Sequence, residues 1–212
     1  SGNVIAPIGD NTTITIESGI TIRGGSRFSD GAQISHVHGG GGINAAVILK
    51  GNLITDVPGT GIRLNLAGSD AFQNQGLIKL DGGDLWLGGS YTHAGLGSID
   101  RQSGMIYLSG SLDNRDATLY LDSPQTSWTL HGGRIIGGRI VESGGGRLLT
   151  PGSGELDGVS FTGNLIASSG ATLRIRNGLT LNGTMTVHES AKLLFDGTQA
   201  VTGNGAIVLS HT

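Results

Sequence analysis

The stretch Ala171-Thr-Leu-Arg-Ile-Arg-Asn-Gly-Leu-Thr-Leu-Asn-Gly-Thr-Met-Thr-Val187 decides the reading of the fold. Apolar residues alternate at Leu173 and Ile175, at Leu179 and Leu181, and at Met185 and Val187, and Asn177-Gly178 and Asn182-Gly183 separate the pairs. Period-two alternation buries one face of an extended strand and wets the other. Asn and Gly tolerate the left-handed backbone that a sharp corner requires. Strands of about three to five residues are too short to close a core as separate hairpins. They close one as the sides of a coil that winds round and stacks on itself.

The same grammar stands at the other end of the chain. Thr13-Ile-Thr-Ile-Glu-Ser-Gly-Ile-Thr-Ile-Arg-Gly24 matches Thr172–Gly183 in character at every position. A unit that returns so far along the chain, with similar strands between, marks a repeat architecture. The sequence therefore predicts an all-β fold over residues 1–212, a single segment of right-handed parallel β-helix (a β-solenoid). The competing fold is a β-sandwich, because Asn-Gly and Asp-Gly also signal hairpins. Self-similarity, very short strands and few aromatic residues weigh against it.

Composition narrows the function classes. Glycine numbers 40, without the three-residue period of collagen. Apolar residues make up 36% and recur at strand spacing, which excludes general disorder. The 13 basic residues are scattered singly in a chain of formal net charge -3, which argues against a nucleic-acid groove. No apolar run approaches the length of a membrane span, so no membrane insertion is expected. Cysteine is absent, removing disulfides and thiolate chemistry.

Along the chain, residues 27–42 break the strand pattern and end in four glycines, which predicts a loop leaving the coil. From Gly76 the repeats are plain. Leu77, Met105, Trp128 and Leu148 read as equivalent points, giving coils of about 20–28 residues. The Gly132-Gly-Arg-Ile and Gly137-Gly-Arg-Ile repeats, Gly154-Glu-Leu-Asp-Gly-Val-Ser-Phe-Thr-Gly-Asn-Leu165 and Phe195-Asp-Gly-Thr-Gln-Ala-Val-Thr-Gly-Asn-Gly-Ala206 follow. These stretches resemble the shaft repeats of large bacterial exoproteins, the filamentous-haemagglutinin-like adhesins and autotransporter passengers. The Asn-Pro-Asn motifs of the haemagglutinin-type secretion domain are not among the residues. The resemblance implies export across a Gram-negative envelope and adhesive or scaffolding work at the cell surface, and it carries over no catalytic residue.

Candidate chemistry is sparse. His36 and His38 flank Val37, so an extended backbone would point both imidazoles to one side, as two metal ligands require. A solvated loop is the plainer reading, and no metal or other cofactor is expected. Asp113, Arg115, Asp116 and Asp122 form the densest charged cluster, which serves either a lyase-type calcium site or simple turns. Asp81 and Asp84 around Gly82-Gly83 read as a turn as well. Tyr107 and Tyr120 lie between the apolar positions of their strands and should face outward, as a sugar-stacking stripe or as an aromatic ladder across coils. The function expected is a non-catalytic structural or adhesive shaft, outside the cell. The alternative is a carbohydrate-active β-helix (polysaccharide lyase or hydrolase) or a glycan-binding module. Expected partners are adjacent coils of a longer chain, a second chain joined end to end, and host or surface glycans, with strand grammar reaching Val4-Ile5 and Ala206–Leu209 at the two ends.

Overall fold

The computed structural model describes residues 3–26, 32–35, 44–66 and 71–211, and the chain divides into two compact units, one up to Gly110 and one from Ser111. In the first unit each coil has three sides. The strands in chain order are β1 (Val4–Ile5), β2 (Thr13–Ile16), β3 (Thr21–Arg23), β4 (Ala32–Ser35), β5 (Ala46–Leu49), β6 (Asn52–Thr55), β7 (Gly61–Asn65), β8 (Ala71–Asn74), β9 (Leu77–Leu80), β10 (Asp84–Leu87), β11 (Ser90–Thr92), β12 (Ile99–Arg101) and β13 (Ile106–Leu108). Three parallel ladders result: β1-β4-β7-β10-β13, β2-β5-β8 and β3-β6-β9-β12.

The second unit repeats the plan with β14 (Ser111–Asp113), β15 (Thr118–Leu121), β16 (Trp128–Leu130), β17 (Arg134–Ile136), β18 (Arg139–Glu142), β19 (Leu148–Thr150), β20 (Ser153–Ala167), β21 (Thr172–Val187), β22 (Lys192–Asp196), β23 (Val201–Thr202) and β24 (Ala206–Leu209). Here β20 and β21 each run through a whole coil and take all three sides at once. Among the described residues of each unit the strand pairings are parallel, and an isolated bridge, Ser26 with Gly61, is antiparallel. Each unit is a parallel β-solenoid, and the sandwich is excluded.

The core follows from the alternation. Leu112, Ile135, Leu156 and Ile175 stack in register as a buried column, as do Ile34, Leu64, Leu87 and Leu108. Leu173 and Ile175 align with Leu193 and Phe195 on one side, and with Gly154 and Leu156 on the other. Gly154 is the exception in that set, and the Leu130 side chain fills the space a larger residue would need.

Two expectations need correction. Strands are not uniformly short, because β20 and β21 stay extended through corners the sequence placed between separate strands. At the predicted corner Asn177-Gly178, φ is 52° and 90°, and at Gly183 it is 141°. A Cβ on Gly183 would sit 2.0 Å from the Gly163 carbonyl oxygen, so these two coils approach here only because Gly183 lacks a side chain, and a Cβ on Gly163 would in turn meet Glu142 of the coil before, 2.6 Å from its Cβ. Leu77 and Met105 are not equivalent, since Leu77 stacks on Asn52 in the third ladder, while the Met105 carbonyl accepts from Leu85 in the first. Trp128 and Leu148 do stack. Two single turns of helix, α1 (His93–Leu96) and a 3-10 turn at Pro124–Thr126, lie in a chain that is otherwise strand and loop among the described residues, in keeping with the all-β expectation.

Candidate functional surfaces

Stacking turns the outward residues into columns, and one column carries the first unit's most distinctive surface. Register places Arg63, Trp86 and Tyr107 one above another on β7, β10 and β13. Trp86 and Tyr107 stack with ring centroids 4.1 Å apart and planes 14° apart, and the Arg63 guanidinium lies 4.6 Å above the Trp86 ring. Tyr107 therefore belongs to a ladder across coils, and its near ring face is covered by Trp86. Tyr120, on β15 in the second unit, stands outward at 62% exposure. Tyr91 and Trp128 are buried. Burial pushes the Tyr91 hydroxyl up, and it donates to the Leu64 carbonyl at 2.6 Å.

The second unit carries a lattice of charge that the sequence reading missed. On its first side Arg134, Glu155 and Arg174 form one column, and Asp157, Arg176 and Asp196 form the next. Arg134 Nε lies 2.8 Å from Glu155 Oε1, and the same guanidinium pairs with Asp157. Arg176 reaches Glu155 at 3.5 Å and Asp196 at 2.7 Å, and Arg174 reaches Asp196 at 3.4 Å. Burial raises the Asp157 carboxyl, but hydrogen bonds from Arg134 and Asn177 and the nearby arginine charges outweigh it and hold the group below its usual range. The signal was present: charges of alternating sign recur at coil spacing, which is visible only once the register is known.

Glu142 was also missed. It occupies an inward position of β18 and is buried. Its carboxylate accepts from the Leu148 amide at 2.6 Å and the Asn164 amide at 2.9 Å. Burial pushes its pKa up, partly offset by these hydrogen bonds and by Arg147. An acid at an inward parity position was the available sign.

The predicted cluster resolves into turns. Arg115 folds back on Asp113, with Nε to Oδ1 at 2.9 Å and its amide donating to the same oxygen at 3.1 Å. That contact holds the Asp113 carboxyl below its usual range. Asp116 sits exposed in the left-handed region at φ 60°. Asp122 accepts from Thr126 at 3.3 Å. Asp81 pairs with Lys79 at 3.0 Å, and Asp84 accepts from the Met105 amide at 2.8 Å, which ties two coils together. Among the described residues no group of three His, Cys, Asp or Glu is placed to hold a metal ion, and no helix is long and apolar enough to cross a membrane. His36 and His38 lie outside the described residues.

Two adjoining grooves, of about 510 and 450 Å³, run along the corner between the first and second sides of the second unit and share Gly138, Gly158 and Asn177. Arg115 and Asp116 line one end, and Thr180 and Thr202 the other. Left-handed residues recur at this corner from coil to coil, among them Asp116, Gly137, Gly138, Gly158, Asn177 and Gly197.

No family model matches the chain. No curated protein and no solved structure matches it either. The surfaces themselves carry the functional argument.

Proposed function

We propose that the chain is a non-catalytic shaft segment of an extracellular bacterial surface or secreted protein, of the Gram-negative exoprotein kind. What supports the reading is the charge lattice of the second unit. Glu155, Asp157 and Asp196 are each neutralised by arginines from neighbouring coils. Catalytic acids and bases converge instead on a cleft and hold protonation states matched to a reaction. Here the ionic groups tie coil to coil, which is what a load-carrying rod uses them for. Its partners would be further coils stacked on its ends and host or surface glycans, with neither nucleic acid nor membrane insertion involved.

A second reading, a glycan-binding or carbohydrate-active module, is favoured by the corner grooves with Arg115, Asp116 and the Thr180 and Thr202 hydroxyls, and by exposed Tyr120 nearby in sequence. Incubation with a panel of acidic polysaccharides separates the two. The shaft reading expects no release of unsaturated or reducing sugars. Release that disappears in Asp113→Ala, Asp116→Ala or Asp122→Ala would contradict it.

A further inference from the structure

The second side of the second unit presents two outward columns beside the corner groove. Register sets Thr118, Arg139, Ser160, Thr180 and Thr202 one above another, and Tyr120, Val141, Thr162 and Asn182 in the next column. Buried Leu119, Ile140, Phe161 and Leu181 lie between the two and point inward. Ser160, Thr180 and Thr202 also line the groove, together with Asn177 and Gln199, and the Thr180 and Thr202 hydroxyls are 3.1 Å apart. The wall is therefore a ladder of hydroxyls and amides.

The charges at this corner cancel. Arg115 is bound to Asp113, and Asp157 to Arg134. Exposed Asp116 and exposed Arg139 remain, and among the described residues neither side chain makes a hydrogen bond or ion pair. One carboxylate and one guanidinium leave no net charge to select an ion. Tyr120 stands diagonally from Arg139 on the neighbouring strand with its ring largely in water.

We infer that this corner binds a neutral glycan chain lying along the solenoid axis. Sugar hydroxyls both donate and accept. The Asp116 carboxylate can only accept, the Arg139 guanidinium can only donate, and the Ser and Thr hydroxyls do either. The Tyr120 ring offers an apolar face to the C–H side of a sugar. Five successive coils line the groove, at Arg115, Gly137, Gly158, Asn177 and Gln199. Four steps of about 4.8 Å make it roughly 19 Å long, room for several sugar rings in a row. An acidic chain would meet Asp116 as well as Arg139. An extended peptide finds no ladder to join, because β18, β20 and β21 are paired on both edges here. The inference rests on the glycan-binding reading above in placing a sugar at this corner, and it requires no catalysis.

Gly158 allows the site to be closed without touching the core. It borders both grooves at φ 63°, and a Cβ there would meet nothing nearer than 3.7 Å. Asparagine tolerates this backbone, as Asn177 does at the same corner. Gly158→Asn should therefore fold as the parent does and fill the groove. The probe is an array of neutral hexose and N-acetylhexosamine chains printed beside uronic-acid and sialylated chains. The 212-residue chain should retain neutral chains, longer ones better than single sugars. Asp116→Gly keeps the left-handed corner, removes the acceptor and should weaken binding about ten-fold. Tyr120→Ala should weaken it several-fold, Gly158→Asn should abolish it, and Arg63→Ala in the first unit should leave it unchanged, all with the parent's unfolding midpoint. An array that retains no neutral chain overturns the inference, as does binding that survives both Gly158→Asn and Asp116→Gly. Acidic chains held as tightly as neutral ones overturn it too, while leaving the broader glycan-binding reading in place. None of these results touches the shaft reading, which falls only if a bound glycan is cleaved.

Discussion

The two units solve one problem with different coils. In the first, the coils shorten along the chain: Gln33 stacks on Arg63 after thirty residues, Arg63 on Trp86 after twenty-three, and Trp86 on Tyr107 after twenty-one. In the second they stay near twenty, with Glu155 on Arg174 after nineteen and Arg174 on Leu194 after twenty. Length to spare goes into the corners, while the sides keep the same three-to-five-residue strands. Where nothing is spare, the backbone runs extended through the corner, and the corner must be glycine or asparagine. The outer faces differ accordingly. The wide coils present a cation and two rings in a column, and the tight coils present alternating charges.

The largest expected effect probes the apolar interior that each unit builds. Phe161 in β20 is fully buried. Phe161→Ala should cost about 3–5 kcal/mol in denaturant unfolding. Phe195→Ala, on the open last coil, should cost roughly 1 kcal/mol or less, because much of its ring is already in water. Equal costs would mean the last coil is as closed as the inner ones.

Glu142 tests the tight coils next. Glu142→Ala leaves the buried amides of Leu148 and Asn164 without an acceptor, at about 1–3 kcal/mol each. Its pKa is raised in the fold, so the native state holds this proton more firmly than the unfolded chain. The resulting stability is present below the ordinary glutamate value, near 4.5, and is lost as pH rises through the raised value. Glu142→Gln should flatten that loss.

Asp157 works with the opposite sign. Its pKa is lowered, so its contribution is present above the ordinary value, near 3.8, and is lost as pH falls through the lowered one. Arg134→Met should cost about 1–2 kcal/mol at neutral pH and much less in acid, where the carboxyl is neutral. A pH-independent cost would mean that Arg134 acts by packing alone.

The smallest effect belongs to the wide coils. Arg63→Ala removes the cation above Trp86, worth about 0.5–1 kcal/mol, and should alter the tryptophan fluorescence with little change in stability.

The sequence made the strands and corners legible because both are local. The alternation Leu173, Ile175, Leu179, Leu181 and the pair Asn177-Gly178 need no partner to be read. Cross-coil facts were not legible. Arg134 and Asp157, or Arg63 and Trp86, meet only through register, and register depends on coil length, which corner insertions change from turn to turn. That is why Leu77 was aligned with Met105. Asp113 and Asp116 were readable as turn residues because an Asp that bonds the backbone two residues on needs only its own segment. Glu142 broke the inward-apolar rule and found its partners in another strand.

Residue-resolved amide exchange over residues 172–196 tests the central claim most directly. In a parallel solenoid an inner strand donates alternately to the coil before and the coil after, so protection should run unbroken along Thr172–Val187, around the corners at Asn177 and Gly183. On β22, the Lys192, Leu194 and Asp196 amides, which face β21, should be protected as well. Alternating protection within Thr172–Val187, or gaps at its corners, would contradict stacked parallel coils.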